Sequence, residues 1–235
     1  MPIENLDTEQ SFAFIAETNS AASLLAYGVR VVRTARFIDT TRDPIMTMLS
    51  IGLEKLYKLT VGLLSLDTRG RWPTKAEMKG YGHDLETLHE SVMGAIRDRS
   101  RARSQYVRDW VGSVDDDLCV PPLITALGEY GTRSRFYYLD RLAESPQLRD
   151  PRHAWEEVLS TALKDPVVAE MYARATADVR NGDLWDELGV AQNRRVAQSI
   201  ERLWTMIAVA GRNYCLGPTG AVFGFEVHPS AVGSQ

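Results

Sequence analysis

Basic and aromatic side chains cluster in one stretch of the sequence, TRSRFYYLDRLAE. Guanidinium groups bind phosphate through paired hydrogen bonds, and aromatic rings offer faces on which bases stack. The candidate RNA- or nucleotide-binding residues in this stretch are Arg133, Arg135, Tyr137 and Arg141. His83 is a fifth candidate, because histidine is the side chain most often used for proton transfer. Two arrangements remain open: the five side chains converge on one groove, or each points separately to solvent.

Metal chemistry is not indicated by the spacing of the ligand-type residues. The four histidines and two cysteines form no cluster with the spacing of a zinc site. A helical di-iron site needs two Glu-x-x-His pairs, and only Glu86 and His89 have that spacing. The aspartates at 115–117 are predicted to form a loop or a helix cap, because adjacent residues cannot all point inward from a helix. Phosphate-loop, dinucleotide and nucleophile-elbow motifs are also absent from the sequence. We therefore expect neither a metal nor a cofactor.

A second basic segment, IRDRSRARSQYVRDW, is interpreted as a solvated helix end. Its arginines occur at alternate positions, so they circle a helix and do not form a track along one side. Aspartates within and after the segment offset their charge. An RNA-binding patch here is the alternative interpretation. Because the whole chain has a formal net charge of −4, any contact with nucleic acid requires a local basic patch.

Length and composition indicate a globular protein. The chain has 235 residues, enough for one large domain or two small ones. The beginning, MPIENLDTEQ, carries early acidic residues and no apolar core, so it does not predict a signal peptide. No run approaches the roughly 18 apolar residues of a membrane span, so no membrane association is expected. We predict a cytoplasmic protein in which Cys119 and Cys215 are free thiols.

The elements that must position the candidate residues are predicted to be helical throughout. Asp7 or Thr8 is the expected N-cap of a first helix, with a break or kink predicted near residues 18–20. The pair Asp43–Pro44 is expected to begin a second helix, because proline suits the first turn. Apolar residues then recur every three or four positions as far as residue 63. A loop follows over residues 66–81, with a loop that contains one short helical turn as the alternative, and another helix is predicted to open at residues 82–85.

The sequence predicts three regions along the chain. Residues 1–145 are expected to form the helical core, and residues 146–215 to add helices that pack on the same bundle. The proline-bounded stretch 146–151 is the predicted boundary between them. Gly217–Pro218 is expected to end the last long helix. Residues 216–235 are predicted to be a mostly irregular tail.

Three segments together resemble the HEPN family of helical-bundle domains from prokaryotic toxin, defence and nucleotide-related systems. They are GLEKLYKL at residues 52–59, GHDLETL at residues 82–88 and YGTRSRFYY at residues 130–138. The resemblance covers roughly residues 20–145, and extends to 215 if the last long helix completes the bundle. It implies a HEPN-like up-and-down helical bundle with additional C-terminal helices. It also implies a homodimer that binds RNA, a nucleotide or a protein partner.

Ribonucleases of this family carry an arginine, four to six intervening residues and then a histidine on a late helix. Only Arg149 and His153 approach that spacing here, with three residues between them and Pro151 in the way. The resemblance therefore implies a non-catalytic binding or structural protein in a defence or toxin–antitoxin context. Two alternatives remain open. One is a metal-independent ribonuclease with a displaced site, and the other is a helical protein–protein adaptor unrelated to HEPN.

Overall fold

The computed structural model describes residues 3–36, 38–145 and 149–232, apart from the side chain of Asp39. Every regular element in these residues is helical, which confirms the predicted all-α fold class. The α-helices are α1 Thr8–Thr34, α2 Ile38–Arg69, α3 Lys75–Gly80, α4 Leu85–Ser100, α5 Gln105–Asp115, α6 Val120–Thr132, α7 Tyr137–Leu142, α8 Pro151–Ala162, α9 Pro166–Ala177, α10 Gly182–Arg212 and α11 Gly217–Glu226. None of these helices combines the length and apolar character that spanning a membrane requires.

The first helix begins where the sequence predicts. The Asp7 carboxylate accepts a hydrogen bond from the Gln10 backbone N–H at 2.7 Å, and the Gln10 side-chain oxygen accepts from the Asp7 N–H at 3.0 Å. This reciprocal pair is a capping box, and it satisfies two backbone donors that the helix leaves free. The break predicted near residues 18–20 is absent. Thr18 is buried, and its hydroxyl donates to the carbonyl of Phe14 within an uninterrupted α1.

Helix α2 packs against α1, α4, α6 and α11. It packs antiparallel to α1, so that Gly28 lies against Leu49 and Gly52 lies against Leu25. The prediction that α2 begins at Pro44 is wrong, because α2 begins at Ile38 and Pro44 lies inside it. An internal proline costs a helix about 3 kcal/mol. The buried residues on both sides of Pro44 show that tertiary packing outweighs this cost.

Residues 70–84 carry the chain back along α2, so α4 runs parallel to α2. Tyr57 of α2 is bonded to His89 of α4, and Asp67 is bonded to Arg99 ten residues further along each helix. The direction of the chain therefore does not alternate between these two helices. The Asp84 side chain caps α4, accepting from the backbone N–H groups of Glu86 and Thr87.

Helices α8, α10 and α11 of the second half pack on the same bundle, whereas the buried residues of α9 form a separate apolar cluster with Leu188 of α10. Arg33 of α1 pairs with Glu201 of α10 at 2.5 Å, and the Asn193 side chain donates to the carbonyl of Ala35. Buried residues of α10 belong to the same apolar core as those of α1 and α2. Of the boundary predicted at 146–151, residues 146–148 lie outside the described part of the chain.

Asp117 joins the α5–α6 turn to α10 through a buried ion cluster. Its side chain is fully buried and pairs with Arg195 at 2.6 Å and with Arg202. Burial alone would raise the pKa of Asp117, but the bonds from Arg195 and from the Cys119 N–H lower it overall. The predicted loop or cap at 115–117 is therefore also a structural anchor.

The expectation of a mostly irregular tail is wrong over the described residues 217–226, which form α11. Pro218 does not end the preceding helix as predicted, because α10 ends at Arg212 and Pro218 lies in the first turn of α11. α11 lies very close to α10 because glycines meet at the contact. A Cβ on Gly224 would lie 2.4 Å from the carbonyl oxygen of Ala208, too close for any larger residue. Residues 233–235 lie outside the described part of the chain.

Candidate functional site

A cavity of about 740 Å³ opens between α1, α2, α6 and the segment that precedes α4. Its walls include His83 and Arg135, two of the five residues that the sequence nominates. We call it the His83–Arg135 cavity. The other charged groups that line it are Glu17, Glu54, Lys55, Lys58 and Asp84, and its apolar walls include Ile51, Leu59, Trp72 and Met78.

One carboxylate oxygen contacts two of the nitrogen groups that line the cavity. Glu54 Oε1 accepts a hydrogen bond from Lys58 Nζ at 2.7 Å and lies 2.8 Å from His83 Nδ1. Glu54 and Lys58 are one helical turn apart on α2, whereas His83 arrives from the segment before α4. The carboxylate fixes the imidazole so that its Nδ1 carries the proton toward Glu54. His83 Nε2 is then left for a ligand, and the side chain is 71% exposed.

A second ion pair lies across the cavity wall between α1 and α2. Lys55 Nζ donates to both carboxylate oxygens of Glu17, at 2.8 Å each. Each group is partly exposed, so the pair contributes little to stability. Its effect on the cavity is to neutralise both charges in place.

Arg135 differs from the lysines because it forms no ion pair with any residue that the structure describes. Its guanidinium carbon lies 5.1 Å from the centre of the Phe136 ring, a cation–π arrangement. The side chain is exposed and lines the cavity. Arg135 is therefore the cation of this cavity that is available to an incoming anion.

Hydroxyl groups form the floor near α6. Thr47 Oγ1 and Tyr130 Oη are 3.1 Å apart, and Tyr130 Oη donates to the carbonyl of Asp43 at 3.3 Å. Burial raises the pKa of Tyr130, so the phenol stays protonated at neutral pH and keeps this donor. The Ser50 hydroxyl lines the same wall and donates to the carbonyl of Thr47.

The other three nominated residues do not line this cavity. Arg133 is exposed beside Asp84, where hydrogen bonds from Thr87 and the charge of Arg133 lower the pKa of the Asp84 carboxyl. Tyr137 is buried, with its ring edge-on to Tyr138 at 5.1 Å between centres. Arg141 is exposed on α7. Only His83 and Arg135 are brought together.

Other sequence features have structural partners. Arg149 pairs with Glu129 and Glu157, and His153 is exposed on α8; neither Arg149 nor His153 lines the cavity. Arg97 pairs with Asp115 at 2.6 Å, within the arginine-rich segment. The described residues contain no group of three histidines, cysteines or carboxylates placed to hold a metal ion.

The Glu-x-x-His pair on α4 is committed to contacts within the bundle. Glu86 accepts a hydrogen bond from the Thr125 hydroxyl. His89 Nδ1 lies 2.7 Å from the hydroxyl of Tyr57, which is fully buried. Burial raises the pKa of Tyr57, and burial together with the charge of Arg97 lowers that of His89 to about 4. The phenol is thus the donor and a neutral imidazole is the acceptor.

Comparisons with known proteins do not extend this description. No family model, no curated protein and no solved structure matches the chain. The cavity must therefore be interpreted from its own geometry.

Several residues that line the cavity are not predicted as site residues from the sequence. Glu54 and Lys58 are four residues apart on an apolar helix, a spacing that equally describes a solvent-exposed ion pair. Trp72 lies in a polar loop, where a large aromatic residue can indicate a binding site. Glu17 and Thr47 carry no local signal, because only the α1–α2 and α2–α6 contacts bring them to the cavity.

Proposed function

We propose that the chain is a non-catalytic, HEPN-like binding protein that holds the phosphate of a nucleotide or of an RNA end in the His83–Arg135 cavity. One observation carries this proposal. His83 and Arg135, two candidate residues for RNA or nucleotide binding that are far apart in the sequence, line one cavity together with Lys55 and Lys58. A defence or toxin–antitoxin role is the biological setting that we propose with it.

The distribution of charge in the cavity supports an anionic ligand. Glu17 is neutralised by Lys55, and the Asp84 carboxylate is occupied by the N-terminus of α4. Glu54 faces both Lys58 and His83, and Arg135 has no carboxylate partner in the described chain. An anion entering the cavity thus meets a guanidinium that has no carboxylate partner among the described residues, and the exposed His83 lines the same cavity. Guanidinium–phosphate hydrogen bonds are among the stronger polar contacts in proteins.

Titration calorimetry with ADP tests the proposal. Arg135→Gln removes the available cation, so we expect its affinity for ADP to fall roughly tenfold, the usual worth of a charged hydrogen bond. Arg141→Gln is the matched control, because Arg141 is also exposed but lines no part of the cavity. Equal loss of affinity in both variants, or no binding by the unmodified chain, contradicts the proposal.

The Glu54–His83 pair favours a second candidate function, a metal-independent ribonuclease with a displaced site. A carboxylate that holds Nδ1 leaves Nε2 ready to accept a proton, which is the arrangement of a general base. We expect any such activity to cleave total RNA in the presence of EDTA and to be lost in His83→Gln. His153→Gln, on an exposed position of α8, is the control. Absence of cleavage at micromolar protein removes this candidate.

We also propose a homodimer in the cytoplasm. Exposed apolar side chains on and beside α7 support association, and the two buried free thiols suit a reducing compartment. A protein partner in place of a second copy corresponds to the adaptor alternative.

A further inference from the structure

A smaller cavity of about 280 Å³ adjoins the His83–Arg135 cavity. Its apolar walls are Leu6, Ala13, Phe14, Leu59 and Trp72. Leu59 and Trp72 line both spaces, so the smaller cavity is an extension of the larger one along α1. We call it the apolar annex.

The two polar side chains at the annex are already committed. Gln10 uses its side-chain oxygen in the cap of α1, where it accepts from the Asp7 N–H. Glu17 uses both carboxylate oxygens on Lys55. The annex therefore presents apolar surface with no uncompensated charge, in contrast to the adjoining cavity.

Trp72 forms a fixed flat wall that both spaces share. Its ring packs on Gly62 of α2, where a Cβ would lie 2.1 Å from the nearest ring carbon. The ring of Phe14 meets it edge-on, with 5.8 Å between centres and 79° between planes. The indole stays partly exposed although its position is held from two sides. A planar group entering the annex can pack against it at no cost in side-chain ordering.

We propose that the ligand of this site has two parts: an anion held in the His83–Arg135 cavity and an aromatic ring held in the annex against Trp72. The class is an aromatic phosphate ester. This inference rests on the proposed phosphate binding and adds the requirement for the ring. A phosphate without a ring leaves the annex empty and loses the contribution of its apolar surface.

Calorimetry with phenyl phosphate and with inorganic phosphate separates the two parts. We expect phenyl phosphate to bind the unmodified chain at least tenfold more tightly than inorganic phosphate does. Ala13→Phe places a ring in the annex, so the affinity for phenyl phosphate should fall to that for inorganic phosphate. The affinity for inorganic phosphate itself should not change.

Ala16→Phe is the matched control, because Ala16 is exposed on the same helix and lines neither cavity. It should leave both affinities as they are. Equal affinity of the unmodified chain for the two probes would show that the annex does not bind a ring, and it would leave the proposed phosphate binding uncontradicted. If neither probe binds, both the proposed function and the proposed ring binding in the annex are contradicted. The comparison in the unmodified chain decides the inference even if Ala13→Phe fails to fold.

Discussion

At the scale of single residues, one histidine makes stability depend on pH. The pKa of His89 is lowered to about 4 by burial and by Arg97, against an ordinary value of 6.5. The folded state thus favours the neutral imidazole. Below pH 6.5 the unfolded chain takes up a proton at this position that the folded chain does not. The contribution of neutral His89 to the free energy of unfolding is fully present above pH 6.5 and is lost as the pH falls toward 4.

We therefore expect the free energy of unfolding to decrease by up to about 2 kcal/mol between pH 7 and pH 5 through His89 alone. Urea denaturation at the two pH values measures this change. His89→Gln can still accept the Tyr57 hydroxyl but does not titrate, so the decrease should become smaller. His153→Gln removes an exposed histidine and should preserve it. An unchanged pH dependence in His89→Gln would show that another group is responsible.

At the scale of elements, the sequence predicts helix type better than helix boundaries. The N-cap at Asp7 was predictable because a capping box is a local pattern of types at fixed spacing. The start of α2 was not, because Pro44 gives a strong local signal that contacts from distant helices override. The sequence predicts residues 217–226 to be irregular because glycine and proline usually end helices. Here those residues begin a helix and allow it to approach α10.

The candidate site was predictable in part for the same physical reason. Arg135 and His83 could be nominated by residue type, since guanidinium and imidazole groups suit phosphate chemistry. Their shared cavity could not be predicted, because it depends on residues 70–84 returning along α2. Tyr137 was nominated on type as well, yet the fold buries its ring.

At the scale of the whole molecule, exposed apolar residues near α7 form the surface through which we propose that two copies associate. Phe136, Leu139 and Leu142 are 52%, 63% and 82% exposed on one short stretch. Side chains of this size gathered on a surface are typical of an interaction site. The proposed homodimer would bury them against a second copy.

Light scattering measures the mass of the assembly directly. We expect twice the 26.3 kDa of the chain, and a shift toward the single-chain mass in Leu139→Glu. Leu118→Glu is the matched control, because Leu118 is 59% exposed in the α5–α6 turn, away from α7. A monomer in the unmodified chain contradicts the dimer, and a partner protein that co-purifies in its place supports the adaptor alternative.

The contact between α1 and α11 has a consequence for synthesis on the ribosome. Phe14 packs against Phe223, with 6.0 Å between ring centres, so α1 is covered by a helix that leaves the ribosome only after all the helices between them. Until α11 leaves the exit tunnel, the apolar face of the α1–α2 hairpin stays open to chaperones and to other nascent chains. At this contact the bundle can therefore close only after α2 to α10 have been synthesised.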